Sequence, residues 1–332
     1  MTDVLPISVV IPAYNAEDFI GEALESVHAQ TLPISEIIVV DDGSSDRTAN
    51  IARSYGASVI QQANRGVSAA RNVGIRAATK SWIAFLDADD IWEPEKIQYQ
   101  WSAIQIHPDV RLVSCDLSYF QDKWLEDGST LLEVSVQNLG GEENKDRNIS
   151  YFQQATGKFL LNGMIYSPPT MLIARELLLS VGLFDESLSY HEDFECFLRV
   201  LAYCPFAIVK LPLVRRRLHS RNLINNISDM GLGYIKVVER LTAQPEKYPP
   251  RAAQAYNKDL SRWSMSRGRS LLDEGRRREA RALFVQSLGK NYSARAIFLW
   301  CLTFLSPAAF KHFLTIKRKL SKKTRETIQS SS

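Results

Sequence analysis

With 332 residues, 45% of them hydrophobic and 23% charged, the chain is long enough for one large domain and a smaller one, and its composition excludes a disordered or fibrous protein. Four cysteines, Cys115, Cys196, Cys204 and Cys301, form no C-x-x-C pair and sit among apolar neighbours, which argues against a disulfide framework or a thiolate zinc site. The formal net charge of +3 hides an asymmetry, because Lys311 to Arg325 holds seven basic residues and no acid, leaving the rest of the chain net acidic.

Met1 to Val10 has no Lys or Arg ahead of its apolar stretch and no small-residue cleavage site, so a secretory signal is not expected and the chain is expected in the cytoplasm. Ile7 to Ile11 is apolar and β-rich, Pro12 stops it, and Asn15 is placed to cap a helix whose Phe19, Ile20, Ala23, Leu24 and Val27 recur at helical spacing. Glu36 to Val40 reads as a second strand, ending at Asp41-Asp42-Gly43-Ser44. A helix over Ser45 to Tyr55, a short strand over Ala57 to Gln61 and an Ala-rich helix over Gly66 to Thr79 follow. The repeated β-α-β order predicts a parallel sheet with right-handed crossovers.

The next strand, Trp82-Ile83-Ala84-Phe85-Leu86, runs directly into Asp87-Ala88-Asp89-Asp90. A buried strand that delivers carboxylates to its carboxyl end supplies acids where ligands of open α/β folds bind. Two acids one residue apart can share a hard divalent cation, which takes carboxylates and phosphate oxygens together. A turn rich in aspartate is the plain alternative for this segment taken alone.

Beyond it, Glu93 to His107 is predicted as a helix with Pro94 in its first turn, and Val110 to Cys115 as a strand. Asp122 to Ser150 is polar and is expected to be an excursion over the surface, with the length of a lid. A strand over Thr170 to Ala174, helices over Arg175 to Val181 and His191 to Cys204, and strands over Phe206 to Lys210 and Val214 to Leu218 complete an α/β domain. The expected division is 1–225 for this domain and 226–332 for a helical C-terminal region with a basic tail. In that region Arg267 to Gly289 reads as an α-hairpin without a second copy. Ala296 to Leu305 is apolar, but Pro307 interrupts it before the roughly 20 residues a membrane span needs.

Four motifs therefore stand in order: Ser8-Val9-Val10-Ile11-Pro12-Ala13-Tyr14-Asn15, Val39-Val40-Asp41-Asp42-Gly43-Ser44-Ser45-Asp46, Asn64-Arg65-Gly66 with Ala70-Arg71-Asn72-Val73-Gly74, and Phe85 to Asp90. Together they resemble the family 2 glycosyltransferases, inverting enzymes of the GT-A fold that take sugars from nucleotide-diphosphate donors. The resemblance runs to about Ser220 and includes His191-Glu192-Asp193, similar to the family's acidic motif on the acceptor side. It implies a mixed, mainly parallel sheet flanked by helices, and it leaves the C-terminal helices unexplained.

The resemblance also implies roles. Pro12 and Tyr14 would wall the nucleotide, Asp42 would accept a hydrogen bond from the base, favouring uridine, and Asp87 would hold the ribose. Arg71 would add a fixed positive charge near the nucleotide. Asp89 would bind a divalent metal, manganese or magnesium, that bridges the two phosphates, with His219, 26 residues after Asp193, as a further ligand. Asp193 matches the general base that takes the proton of the acceptor hydroxyl. The plain alternatives are a capped turn for Asp41 and Asp42, a solvated helix face for Arg71, a helix cap for Asp193 and a structural role for His219. Inversion is a single displacement and needs no second carboxylate as nucleophile.

Other readings compete less well. The acidic turn is similar to the D-x-D of haloacid dehalogenase-like phosphatases, but those carry it on the first strand followed by Gly and Thr or Val, whereas here Asp90-Ile91 follows. No G-x-G-x-x-G occurs, which excludes a dinucleotide-binding dehydrogenase. Processive synthases carry Q-x-x-R-W, and Asp259-Leu260-Ser261-Arg262-Trp263 has Asp in place of Gln. A non-catalytic scaffold or assembly protein on a glycosyltransferase-like domain is the alternative retained. The basic tail lacks interleaved aromatics over Lys317 to Arg325, so nucleic acid is not expected as partner. The expected partners are a nucleotide-diphospho-sugar donor, a saccharide or lipid-linked saccharide acceptor, and an anionic membrane surface met peripherally on its inner face, in surface polysaccharide or glycolipid assembly.

Overall fold

The computed structural model describes residues 4–121, 123–124, 141–144, 147–155, 167–219, 227–290 and 294–304. They fall into two compact units, 1–226 with 239–255, and 227–238 with 256–332.

The first strand, β1 (Leu5–Ala13), is apolar on both faces, and Ile7, Val9, Val10 and Ile11 are fully buried. A strand covered on both sides belongs in the middle of a parallel sheet. It pairs in parallel with β2 (Ile34–Asp41) on one side and with β4 (Trp82–Phe85) on the other, and β2 pairs in parallel with β3 (Ser58–Gln61). Between these strands run α1 (Ile20–His28), α2 (Thr48–Ser54) and α3 (Val67–Ala77). Helix α3 lies so close to β1 that a Cβ on Gly74 would fall 2.4 Å from Val10 Cγ1, so only glycine fits there.

The rest of the sheet is mixed. After β5 (Ile91–Trp92), α4 (Lys96–Ile106) leads to β6 (Leu112–Gln121), then β7 (Lys123–Trp124), β8 (Glu142–Asn144), β9 (Ile149–Phe152), β10 (Leu172–Ala174) and β11 (Phe206–Arg217). The order β3-β2-β1-β4-β10-β6-β11-β9-β8 puts β10 antiparallel to both β4 and β6, while β11 runs parallel to β6. Helices α5 (Arg175–Ser180) and α6 (Glu192–Leu201) lie between β10 and β11. The architecture is the mixed, mainly parallel sheet flanked by helices that the family resemblance implies.

Several local expectations change. The segment expected as a surface excursion contributes β8 and β9, because Ile149-Ser150-Tyr151-Phe152 is buried throughout and pairs with Phe206 to Val209; residues 125–140 of that excursion lie outside the described residues. The two strands predicted near its partner are one, β11, whose pairing shifts register around Pro212, a residue with no N–H to give to the ladder. Asn15 does not cap α1. It adopts φ 46°, its side chain accepts from Ser45 N at 2.9 Å, and α1 starts at Ile20 without a side-chain cap. Ser44 Oγ accepts from Asn15 N at 2.9 Å, Thr48 Oγ1 from Ala16 N at 2.8 Å and Asp46 Oδ2 from Glu17 N at 3.1 Å. These bonds tie the loop after β1 to the loop after β2, and they delay the start of α2 to Thr48.

Residues 239–255 cluster with the first unit, where Tyr248 donates to Glu195 Oε1 at 2.7 Å. Further along the chain, α7 (Ile227–Ala243), α8 (Ala252–Asp273), α9 (Arg277–Lys290) and α10 (Ala294–Leu302) are the helices. The predicted α-hairpin is α8 followed by α9, turned at Gly275, and Leu271, Leu272, Ala280, Phe284 and Leu302 form the core of the second unit. Among the described residues no helix is long and apolar enough to cross a membrane. The basic tail lies outside the described residues.

Candidate active site

The parallel register brings the carboxyl ends of β1, β2 and β4 to one edge: Ala13 pairs with Asp41, Asp42 N donates to Ala13 O at 2.8 Å, and Leu86 N donates to Val10 O at 3.2 Å. Pro12 is buried within β1 and paired with Val40, whereas Tyr14, just past the strand, is 54% exposed. Asp42 is buried and accepts from Gln62 Nε2 at 2.7 Å, Arg65 N at 2.9 Å and Gly66 N at 2.8 Å. Its carboxylate therefore latches the end of β2 to the start of α3, with three of about four lone-pair sites in use. Asp41 accepts from Ser44 N and Gln61 Nε2, both at 3.0 Å. Gly43 sits at φ +81° with its Cβ position 2.9 Å from Asn64 N, so the close approach of these two loops requires glycine.

The acidic turn follows β4, whose Ile83, Ala84 and Phe85 are fully buried. Asp90 N donates to Asp87 O at 3.1 Å and closes the turn. Asp87 Oδ1 accepts from Arg71 Nη2 at 2.9 Å, and Asp89 Oδ2 lies 2.9 Å from His219 Nε2. The His219 ring stacks on Phe19 with centroids 4.9 Å apart. Asp90 is 2% exposed and accepts from Arg217 N at 3.0 Å; burial, then the charges of Asp89 and Asp87, hold its carboxyl well above the usual range.

Arg71 is buried and spans the site. Its second guanidinium nitrogen, Nη1, donates to Glu192 Oε1 at 3.0 Å, and the group lies over the Phe184 ring at 5.4 Å. Burial works against its charge, but Asp87 and Glu192 outweigh it and hold the guanidinium above its ordinary pKa. Arg71 is thus no solvated helix face. Glu192 and Asp193 open α6, behind His191 in the left-handed conformation at φ 61°. Asp193 Oδ1 accepts from Phe194 N at 2.7 Å, and burial raises its pKa against the pull of Arg71. Glu192 is pushed up to about 7 by burial and by the charge of Asp193, again with Arg71 opposing.

Thus Asp87, Arg71 and Glu192 are bonded into one group, Asp193 follows Glu192 in the chain and feels the Arg71 charge, and Asp89 pairs with His219. Five carboxylates, Asp87, Asp89, Asp90, Glu192 and Asp193, share the electrostatic neighbourhood of two guanidinium groups, Arg71 and Arg216. That cluster of carboxyl oxygens, with an imidazole nitrogen beside one of them, is of the donor types a divalent cation takes. Among the described residues, however, no three His, Cys, Asp or Glu side chains converge as a ready cation cage.

Arg217 of β11 was not singled out by the sequence. Arg217 Nε donates to Asp89 O at 3.1 Å, its Nη2 to Glu22 Oε2 at 2.6 Å, and its guanidinium lies 4.5 Å from the Phe120 ring centroid, which pins the acidic turn. The run Arg215-Arg216-Arg217 was visible, but only its pairing with β6 and the position of β5 show which arginine meets which acid.

The family model for glycosyl transferase family 2 matches residues 8–181. An uncharacterized glycosyltransferase of Rickettsia prowazekii is 31% identical over 241 residues, 69% of this chain and 71% of the relative. Among solved structures, S. aureus TarS 1–349 in complex with UDP-GlcNAc superposes with a TM-score of 0.58 at 17% identity, over 90% of each chain. The mannosyltransferase PcManGT from Pyrobaculum calidifontis, in complex with GDP-Man and Mn2+, gives 0.54 at 17% identity, over 100% of this chain and 90% of that one.

Proposed function

From the premise that the chain belongs to glycosyl transferase family 2, we propose an inverting transferase that moves a sugar from a uridine-diphosphate donor to an acceptor hydroxyl, in assembly of a surface polysaccharide or glycolipid. The observation that carries this reading is the single guanidinium of Arg71, bonded to Asp87 on the strand end and to Glu192 beside Asp193. It joins the acids assigned to the donor with those assigned to the acceptor, so both substrates would meet in one pocket.

In this reading Tyr14 and Pro12 wall the base, Asp42 accepts from it through its remaining lone pair, and Asp87 holds the ribose. The nucleotides carried by the two solved relatives, one uridine and one guanosine, support a nucleotide-sugar donor, and Asp42 as acceptor favours uridine with its ring N–H. The acceptor oxygen attacks the anomeric carbon and the bond to the diphosphate breaks, its electron pair leaving with the phosphate. Asp193 takes the acceptor proton, a task that a raised carboxyl pKa assists by making it a stronger base. Asp89 and His219 would hold a divalent cation, manganese or magnesium, whose positive charge stabilises the departing diphosphate.

The proposed location is the cytoplasm, with peripheral contact to the membrane through the basic tail. The test is a donor screen that measures nucleotide release from a panel of nucleotide sugars, with manganese and an acceptor glycan mixture, beside the Asp193→Asn variant. Release from uridine donors by the native chain and its loss in the variant is the expected result. No release from any donor would favour the scaffold reading.

A further inference from the structure

Three arginines follow one another on β11, and the pleat sends the middle one to the opposite face from its neighbours. Arg215 Nε meets Glu93 Oε1 at 2.9 Å, and Arg217 Nη2 meets Glu22 Oε2 at 2.6 Å. Arg216 is in register with Tyr119 of β6. Among the described residues it has neither an ion pair nor a hydrogen bond from its guanidinium, although it is half-buried. The charges it feels most are Asp90 and Asp87, then the Tyr119 phenol and Asp193; burial opposes its charge and these groups restore it.

Its backbone is held at the site, since the next residue bonds Asp90 through its backbone N–H at 3.0 Å, and the carboxylates of Asp90, Asp87 and Asp193 are near enough to act on the Arg216 charge. The other guanidinium groups here are committed: Arg71 to Asp87 and Glu192, and Arg217 to Glu22. A guanidinium is a planar fork of five N–H donors that matches phosphate oxygens in pairs. No guanidinium nitrogen of Arg216 is both buried and unbonded, so the fork is open to an anion entering between the acidic turn and α6.

We propose that Arg216 binds the diphosphate of the sugar donor and hydrogen-bonds the β-phosphate oxygen that gains the electron pair when the bond to the anomeric carbon breaks. No proton moves in this contact; the guanidinium stays cationic and only its hydrogen bonds strengthen. The assignment rests on the nucleotide-sugar reading above. It gives the site a fixed positive charge for the leaving group beside any divalent cation.

Calorimetric titration of the whole protein, with manganese present, tests it using uridine, UDP, GDP and inorganic pyrophosphate on the native chain and on Arg216→Gln, Arg216→Met and Arg216→Lys. The neutral variants should bind UDP and pyrophosphate at least tenfold more weakly while uridine affinity stays within twofold. Lysine, which keeps the charge but not the fork, should fall between and provides a folding control. Equal losses for uridine and UDP, or UDP and pyrophosphate affinities within twofold of native in any neutral variant that folds, would overturn the assignment. If only the lysine variant folds, an unchanged UDP-to-uridine ratio overturns it. A native chain that binds neither nucleoside diphosphate refutes the donor reading, and the pyrophosphate arm then decides Arg216 by itself: binding that the variants lose supports it, and absent or unchanged binding refutes it.

Discussion

Asp89 Oδ2 and His219 Nε2 lie 2.9 Å apart although 130 residues separate them in the chain. The contact exists because β11 runs beside β6 and β5 and delivers its C-terminal end to the turn that follows β4. The carboxylate and imidazole proposed as cation ligands are thereby brought together from the end of a parallel strand and the end of a strand on the mixed side of the sheet.

Replacement of Asp89 by alanine removes one half of that pair. Donor affinity and transfer rate should fall together, because the cation that Asp89 would hold serves both binding and leaving-group stabilisation. Chelation of divalent cations should reproduce the effect in the native protein. Full activity in excess chelator would remove the cation from the mechanism.

Asp193→Asn should lower transfer by about 10² to 10⁴, the cost of losing a general base, and leave UDP affinity close to native. Asparagine keeps the oxygen that accepts from Phe194 N, so the start of α6 should hold. Steady-state transfer and UDP titration on the same preparation check both halves, and transfer within threefold of native would exclude Asp193 as base.

Glu192→Gln addresses stability. In the folded protein this carboxyl titrates near 7 rather than at its ordinary 4.5, under burial and the neighbouring Asp193 charge, with Arg71 opposing and Asp87 on the far side of Arg71. Between those values the folded chain holds a proton that the unfolded chain has released, so this group lowers stability as pH rises through the window and adds no further slope above it. Glutamine cannot titrate and still accepts from Arg71. The difference in Tm, variant minus native, should therefore grow from about pH 5 to about pH 8. A difference that is flat with pH would contradict the shifted carboxyl.

The tail from Lys311 to Arg325 carries seven basic residues next to Phe310 and Leu314. Each basic side chain near an anionic leaflet contributes about 1 kcal/mol, and salt weakens the sum. Whole protein should sediment with anionic vesicles at low salt, less at high salt, and little with neutral vesicles. Equal, negligible sedimentation with both would end the membrane proposal.

How much of this was legible in the chain follows from the range of the interactions. The buried strands β1, β2 and β4, the acids at their ends and the α/β order were readable, because side-chain periodicity and turn chemistry act over a few residues. The same local signals marked Asp193 at a helix start and Asp87 and Asp89 at a strand end. Tertiary structure decided what those residues touch. It turned Asn15 from a helix cap into a bond between two loops and engaged Asp42 with three donors from the loop between β3 and α3. It buried Arg71 between two carboxylates, added β9 to the sheet from a segment that looked like surface, and left Arg216 facing the acids while its neighbours paired. None of these could be read locally, since each depends on strand order and register, which bring together groups scores of residues apart and set how far each charge is removed from water.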